Sequence, residues 1–250
     1  ISFHYDLGNS FYEKWLDESM TYSSAMFKDP EDNLHKGQIN KYDNLANITG
    51  VKENDKILEI GCGWGGFSSF LAKKYSANVT AITISKKQYE KAKQKIYDDK
   101  LTDKVDVKLL DYRNVSGKYD KIVSIEMFEA VGEKYWSKYF DVLKKNLKSD
   151  GSIGLQTITI EDKFFQKYKK FPDFIQTYIF PGGMLPSVEE MDKVITSKGL
   201  HITNKTMFGN DYAKTIRIWS ESFENSWGCI KSLGFSESFK RLWNYSLGYC

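Results

Sequence analysis

A short apolar run that ends in closely spaced glycines, ILEIGCGWGGFSSFLA at residues 57–72, constrains the fold more than any other stretch of this chain. An apolar run of this length predicts a buried strand, and the residues after the glycines have the pattern of a helix. Gly61, Gly63 and Gly66 fit the G-x-G-x-x-G spacing of dinucleotide-binding loops, where glycine lets the backbone approach a ligand closely. Glu59 and a fourth glycine extend the spacing to E-x-G-x-G-x-G, which indicates another adenosine ligand, S-adenosylmethionine.

Four further strand-like segments follow, and helical segments separate them. They are residues 78–85, 105–111, 119–127 and 152–160. Ser85 is placed to cap the helix after the second strand, and Gly151 is predicted to end the helix before the fifth strand. Strands that alternate with helices at this spacing predict an α/β fold, a doubly wound parallel sheet with helices on both faces. A sixth strand is predicted to begin at His201.

The ligand is expected at the ends of these strands, because open α/β sheets bind ligands beyond the carboxyl ends of their strands. An NAD site would place an acidic residue after the second strand, and the sequence TAITISKKQ has none there. Glu59 suits the ammonium and sulfonium groups of S-adenosylmethionine better than it suits a pyrophosphate. Asp111, at the end of the third strand, could accept a hydrogen bond from an adenine amino group. These residues favour S-adenosylmethionine over NAD and over a glycine turn without a ligand.

Composition limits the class of protein. The chain of 250 residues is long enough for one large domain, and its net charge of +3 is too small to indicate nucleic-acid binding. Its three cysteines have no regular spacing, which favours a reducing, cytoplasmic compartment over a disulfide framework. No membrane-spanning helix is predicted, because the sequence has no run of about 18 apolar residues. No spacing of histidine, cysteine and acidic residues predicts a metal site.

Several longer motifs resemble one enzyme family. They are FHYDLGNSFYEKWLDESMTYSSAMF, LEIGCGWGGF, TISKKQ, EMFEAVG, YIFPGGMLPS and GNDYAKTIRIW. In these motifs the chain is similar to the cyclopropane-fatty-acyl-phospholipid synthases, a family that includes mycolic acid cyclopropane synthases and related fatty-acid methyltransferases. The resemblance implies a Rossmann-like class I methyltransferase sheet. It also implies that the π-bond of a cis-unsaturated phospholipid acyl chain attacks the donor methyl group, and that bicarbonate then removes a proton as a cyclopropane ring closes.

The resemblance implies roles for particular residues. The cofactor-binding positions would be Tyr22, Ser23, Gly61, Gly63, Thr83, Gln88, Tyr112 and Arg113, in addition to Glu59 and Asp111. The bicarbonate pocket and its catalytic groups would be Ser24, Glu129, Gln156, Ile158 and Tyr212. Aromatic faces stabilise a cation without reacting with it, so aromatic residues after the fifth strand are candidates to line a dry acceptor site. These candidates are Phe171, Phe174, Tyr178 and Phe180.

Three positions depart from the family's pattern. Many members have cysteine where Ser24 stands, and histidine where Gln156 and Ala130 stand. Glutamine keeps a hydrogen-bond donor but cannot titrate, so methyl transfer is better supported than ring closure. A methylated or methylene product therefore stays open, and so does a polyunsaturated substrate. So do a small-molecule N- or O-methyltransferase and a scaffold that binds its ligand without catalysis.

The chain is interpreted as a single methyltransferase domain, residues 1–250. Its parts are an N-terminal helical cap at 1–50, a cofactor-binding core at 51–160, an aromatic lid insertion at 161–187 and a C-terminal part at 188–250. Sheets of this class usually have seven strands, so the C-terminal part is expected to be truncated and the slot beside the fifth strand to be unfilled.

Two further expectations concern surfaces. The sequence FFQKYKKF pairs basic with aromatic residues, which predicts peripheral docking on the inner, cytoplasmic face of a membrane. Whether the protein forms a homodimer is left open. At the other end of the chain, Phe11, Trp15, Leu16 and Met20 recur at helical spacing and are interpreted as core, and His4 is interpreted as structural.

Overall fold

A sheet of five parallel strands in the order β3-β2-β1-β4-β5 forms the centre of the protein. The computed structural model describes residues 7–250, so His4 lies outside the described residues. The strands are β1 Lys56–Ile60, β2 Asn78–Thr83, β3 Val105–Leu109, β4 Tyr119–Ile125 and β5 Leu147–Gln156. The predicted α/β fold class is confirmed. The strand order reverses between β1 and β4, and a sheet of this kind has its ligand crevice at such a point.

Helices cover both faces of the sheet. They are α1 Asn9–Tyr12, α2 Leu34–Thr49, α3 Gly66–Tyr75, α4 Lys86–Asp98, α5 Trp136–Asn146, α6 Asp162–Lys170, α7 Val188–Ser197, α8 Gly209–Asn225, α9 Trp227–Ser232 and α10 Glu237–Tyr249. Helices α2, α3 and α4 contribute to one apolar cluster, and α5, α6 and α7 contribute to another. Ser85 caps α4 as predicted, since its side chain accepts a hydrogen bond from the Gln88 N–H.

The apolar run of β1 is buried because both faces of the sheet are covered. Ile57 belongs to the first cluster and Leu58 to the second, and both are fully buried. Successive side chains of a strand point to opposite faces, so a strand covered on both sides must be apolar at consecutive positions. This requirement explains why β1 has apolar residues at consecutive positions and does not alternate between apolar and polar residues.

A third cluster joins the two ends of the described chain. Phe11 and Trp15 are buried against Trp219, Phe223 and Trp243 of the C-terminal helices, with Phe11 and Trp243 ring centroids 5.0 Å apart. Leu16 and Met20 pack against the same cluster and are partly buried. The predicted aromatic stripe is therefore core, although only residues Asn9–Tyr12 of it are helical.

Two predictions about strands are wrong. Residues 201–208 form no strand, and within residues 7–250 β5 pairs with β4 alone. A strand forms only where a neighbour accepts its hydrogen bonds, and the segment after His201 has none.

Gly151 does not end a helix, because α5 ends at Asn146 and β5 begins at once. Gly151 lies inside β5, where a Cβ atom would come within 2.8 Å of the Asp120 carbonyl oxygen.

Across the described part of the chain, we find no helix with both the length and the apolar character that crossing a bilayer requires.

Candidate functional site

A cavity of about 560 Å³ opens at the carboxyl ends of the strands, and we name it the strand-end cavity. All ten residues predicted to bind the cofactor lie in its wall. They are Tyr22, Ser23, Glu59, Gly61, Gly63, Thr83, Gln88, Asp111, Tyr112 and Arg113. They come from β1 and the glycine loop after it, β2, α4, the segment after β3 and the loop before α2, so the fold gathers residues that are far apart in the sequence.

The glycine loop after β1 turns sharply at Gly61, where φ is +80°. The N–H groups of Gly61 and Cys62 both donate to the Ile82 carbonyl oxygen, at 2.9 and 3.0 Å, which ties the loop to β2. A Cβ atom on Gly61 would lie 2.8 Å from Met127 Cγ and would also be strained at this φ. Glycine is therefore required at this position both by the backbone conformation and by the wall of the strand-end cavity.

Acidic residues in the strand-end cavity have different surroundings. Glu59 is buried, and the Ser68 hydroxyl donates to its Oε2. Burial raises the pKa of Glu59 to about 7. Asp111 accepts two hydrogen bonds from the Arg113 guanidinium, from Nε and from Nη2 at 2.6 Å. The hydrogen bond from Arg113 lowers the pKa of Asp111, so this carboxylate stays charged and is already paired.

The loop before α2 forms one side of the strand-end cavity and is held by α2. Gln38 Nε2 donates to the Ser23 carbonyl oxygen at 2.9 Å, and Lys41 Nζ donates to the Ser23 hydroxyl at 2.6 Å. Lys41 is almost fully buried, at 1% exposure. Burial lowers the pKa of Lys41 to about 7, against the opposing pull of Glu126, Asp17 and Glu59. A buried lysine beside a ligand cavity was not predicted from the sequence.

A second cavity of about 280 Å³ lies beside the first, and we name it the apolar cavity. Its apolar walls come from the segment after β5 and from the C-terminal helices. They include Ile158, Ile179, Phe180, Met184, Leu185, Ile216, Trp219 and Leu247. Three predicted catalytic residues, Glu129, Ile158 and Tyr212, line it. The two cavities share Tyr22, Glu126 and Ala130 in their walls, so these residues mark where the cavities meet.

Glu129 is fixed at the end of β5. Its Oε1 accepts hydrogen bonds from the Ile158 N–H and from the Thr157 hydroxyl, the latter at 2.9 Å. Its Oε2 is buried and has no hydrogen-bond partner within the described residues. Burial and the nearby Glu126 raise the pKa of Glu129 to about 8, so this carboxyl carries a proton at neutral pH.

Ser24 and Gln156 reach the cavities only through a residue that the prediction omitted, Glu126. Glu126 Oε1 accepts from the Ser24 N–H and from Gln156 Nε2, both at 2.9 Å. The same Gln156 nitrogen also donates to the Ser24 carbonyl oxygen at 3.2 Å. Neither Ser24 nor Gln156 belongs to the walls of the two cavities. Glu126 adopts a φ of +47°, which is uncommon for a residue with a side chain and often accompanies function.

A bicarbonate ion does not fit this arrangement. The Ser24 N–H and the Gln156 amide, two of the expected donors, are bonded to Glu126, and the Ile158 N–H is bonded to Glu129. A further anion would also have to lie beside two carboxyl groups in a water-poor site.

The four aromatic candidates for the acceptor site lie in different surroundings. Phe180 lines the apolar cavity, whereas Phe171 and Tyr178 are 68% and 65% exposed. Phe174 packs edge-on against Tyr245, with ring centroids 4.5 Å apart. Of the four candidates only Phe180 lies in the cavity wall, because the segment turns the other three rings away from the cavity. In residues 7–250 no cluster of histidine, cysteine and acidic side chains could hold a metal ion.

A five-stranded parallel sheet of this order, with a glycine loop after β1 and a cavity at the strand ends, is the fold of class I methyltransferases. The chain belongs to the mycolic acid cyclopropane synthetase family, whose family model matches residues 1–250. The resemblance noted in the sequence motifs is thereby confirmed.

Individual relatives support the assignment. The chain is 37% identical to tuberculostearic acid methyltransferase UfaA1 of Mycobacterium tuberculosis, covering 100% of this chain and 60% of that protein. It is also 37% identical to cyclopropane-fatty-acyl-phospholipid synthase of Escherichia coli, covering 99% of this chain and 62% of that protein. The crystal structure of mycolic acid cyclopropane synthase CmaA1 complexed with SAH and CTAB superposes with a TM-score of 0.94 at 30% identity, covering 100% of this chain and 90% of that one. The chain thus spans less than two thirds of the length of the first two relatives.

Proposed function

We propose that this protein transfers the methyl carbon of S-adenosylmethionine to the cis double bond of an unsaturated fatty acyl chain of a phospholipid. The product would be a cyclopropane fatty acid, or a methylated or methylene one. The observation that carries the proposal is the junction of the two cavities at Glu126, Tyr22 and Ala130. The junction places the cavity that contains Glu59, Asp111 and the glycine loop beside a second cavity whose mainly apolar walls suit an acyl chain.

The strand-end cavity fits the donor in shape and charge. S-adenosylmethionine would supply an electrophilic methyl group. The buried Glu59 carboxylate would attract its ammonium group, and Gly63 leaves open space in the cavity wall, because a Cβ atom built there has no neighbour within 4 Å. The loop from Tyr22 to Ser24 would position the methyl group toward the junction.

The apolar cavity suits an acyl chain and a cationic intermediate. Water destroys a carbocation, so the acceptor must react in a dry site. Side chains such as Ile216, Leu247 and Phe180 exclude water, and aromatic faces stabilise positive charge without reacting with it. A small-molecule N- or O-methyltransferase would have a compact polar acceptor pocket, and the mainly apolar lining does not favour that alternative.

The direct test is incubation of the protein with methyl-labelled S-adenosylmethionine and vesicles of a cis-unsaturated phospholipid, followed by mass spectrometry of the acyl chains. We expect a labelled acyl chain heavier by one added carbon unit. Loss of the double bond would indicate a ring, and its retention a methylated or methylene chain. Absence of label from every lipid would contradict the proposed function.

Donor affinity should depend on pH through Glu59. A pKa of about 7 means that Glu59 is mostly protonated at pH 6 and mostly ionised at pH 8. The ionised form attracts the donor ammonium, so affinity should rise as the pH increases through 7. Calorimetry with S-adenosylhomocysteine at several pH values should show this rise in the wild type. Glu59→Gln should bind about 10-fold more weakly at pH 8, and its affinity should rise with pH clearly less than that of the wild type between pH 6 and 8. A parallel rise in the variant would exclude Glu59 as the titrating group.

Access to phospholipid requires a membrane-facing surface, and we propose that α6 and the residues after it supply it at the cytoplasmic face of a membrane. Lys167, Lys170 and Phe171 are exposed there, and Tyr168 of the same helix lines the apolar cavity. The surface therefore lies next to the cavity that an acyl chain would enter.

Vesicle binding tests this surface. Replacing Lys167 and Lys170 by glutamine should weaken binding to phosphatidylserine-containing vesicles about 30-fold, at about 1 kcal/mol for each lysine. The matched control replaces Lys86 and Lys93, which are exposed on α4, and should keep wild-type binding. Co-sedimentation measures both variants. Equal losses in the two variants would mean that only net charge matters.

A further inference from the structure

The position of Glu126 at the junction of the two cavities has a chemical consequence. Glu126 directly follows β4, and it lies in the walls of both the strand-end cavity and the apolar cavity. A donor methyl group in the first cavity and a double bond in the second could meet only near this junction. A group that removes a proton from the methylated chain must lie within hydrogen-bond reach of the same point.

The Glu126 carboxylate is oriented so that one oxygen is held and the other is available. Oε1 accepts from the Ser24 N–H and from Gln156 Nε2. Within residues 7–250, Oε2 accepts no hydrogen bond. Two donors on one oxygen fix the carboxylate plane, which is the orientation that a general base requires.

The charges around Glu126 favour its ionised form over that of its neighbour. Burial raises the pKa of Glu126. The positive charge of Lys41 is the strongest influence in the opposite direction. Glu129 has no comparable cation, and the charge of Glu126 contributes to keeping it protonated. Two carboxyl groups close together share their protons in this way, with one ionised and one neutral.

We propose that the Glu126 carboxylate is the catalytic base of the reaction, in the place where the family resemblance led us to expect bicarbonate. This inference rests on the proposed function. The π electrons of the acyl chain form a bond to the transferred methyl carbon while the bond from that carbon to the donor sulfur breaks and its electron pair stays on sulfur, and the other alkene carbon becomes cationic. Glu126 Oε2 then bonds to a proton of this cation. The released C–H electron pair closes a ring if the proton comes from the new methyl group, and forms a double bond if it comes from a chain carbon.

Lys41 has a positioning role in this scheme. It lies away from the reacting atoms, with its Nζ bonded to the Ser23 hydroxyl, and acts on Glu126 through its charge. Glu126, Gln156, Ser24 and Lys41 thus form one buried polar group, in which the Ser24 N–H and the Gln156 amide are already bonded to a carboxylate.

The experiment compares the wild type with Glu126→Gln and Glu126→Ala in buffer depleted of carbon dioxide, with and without added bicarbonate or formate. The wild type should methylate lipid at the same rate in both buffers. Glu126→Gln should turn over at least about 100-fold more slowly, since general base catalysis contributes about 10²–10⁴-fold. Glu126→Ala frees the Ser24 and Gln156 donors, so bicarbonate or formate should raise its rate at least about 10-fold. The control Glu53→Gln removes the same charge at an exposed position before β1 and should match the wild type.

A second readout does not depend on turnover. In ¹³C NMR, labelled bicarbonate should broaden on addition of Glu126→Ala and stay sharp with the wild type. Wild-type turnover that requires bicarbonate, or wild-type turnover by Glu126→Gln, would overturn the assignment of the base while leaving the methyl transfer intact. A wild type that labels no lipid in either buffer would instead overturn the proposed function. Binding of S-adenosylhomocysteine by each variant shows that it is folded.

Discussion

Glu129→Ala is expected to lower turnover with an unsaturated phospholipid at least about 100-fold, because small misplacements of reacting groups have effects of this size. The Glu129 carboxyl accepts hydrogen bonds from the Ile158 N–H and the Thr157 hydroxyl, which follow β5. Without it, these groups are unpaired in a dry site and the end of β5 can move. Gln156 ends β5 and orients Glu126, so the movement would displace the proposed base.

Glu129→Gln should retain most of the wild-type turnover at pH 7. The pKa of about 8 means that Glu129 is protonated at this pH, and an amide reproduces both its acceptor oxygen and its donor. Above pH 8 the wild-type carboxyl ionises and the amide cannot, so the two rate profiles should diverge only there. Initial rates with labelled donor, together with S-adenosylhomocysteine affinity as the test of folding, measure all three proteins. Equal losses for alanine and glutamine at pH 7 would show that the charge of Glu129 is required.

The donor side of the site could be predicted because its signals are local. The glycine spacing after β1 and the apolar run before it are contiguous in sequence. Glu59 and Asp111 then follow from the rule that parallel strands bring their carboxyl ends to one crevice. The topology of the sheet therefore brings residues that are distant in sequence into one cavity wall. This grouping can be predicted without knowing the side-chain geometry.

The predictions that failed depended on partners that sequence patterns do not specify. A strand needs a neighbouring strand, and the segment after His201 has β-branched residues but no neighbour. Phe171 and Tyr178 have the residue type expected in a cation-lining wall, yet their direction depends on how the segment after α6 turns. Composition indicates that aromatic residues are available and does not indicate which of them face the cavity.

Glu126 and Lys41 were missed for a related reason. The strand-end rule pointed to the segment that follows β4, but only the resemblance selected a residue within it, Glu129. Lys41 lies on α2, a helix that is only weakly amphipathic, so its sequence does not show which side chains are buried. Lysine side chains are ordinarily exposed. Its burial results from the packing of α2 between the sheet and the loop that contains Ser23, and only tertiary structure shows this.

The contact between α2 and β5 provides the largest expected effect on stability. Gly154 lies on β5 under α2, where a Cβ atom would overlap Thr49 Oγ1 and approach Leu45 Cδ1 to 3.1 Å. Gly154→Ala should therefore lower the free energy of unfolding by about 1–3 kcal/mol, as overpacking of a core does. For a chain of this size, Tm should fall by about 2–4 °C for each kcal/mol.

The same substitution should weaken donor binding, which a purely local packing defect would not do. Helix α2 carries Gln38 and Lys41, both of which hold Ser23 in the wall of the strand-end cavity. Pushing α2 away from β5 therefore moves the loop that is expected to contact the donor. Thermal unfolding and S-adenosylhomocysteine calorimetry on the same samples measure the two effects.

Two further variants show whether the clash is the cause. Thr49→Ala removes the overlapping oxygen, so combining it with Gly154→Ala should recover part of both losses, with a coupling of at least about 0.5 kcal/mol. Gly228→Ala is the matched control, because this exposed helical glycine has no atom within 4 Å of a built Cβ, and alanine should be neutral or slightly stabilising there. Additive effects of the two substitutions would mean that α2 does not transmit the strain. Recovery of both properties together would show that the spacing between α2 and β5 sets the geometry of the donor site.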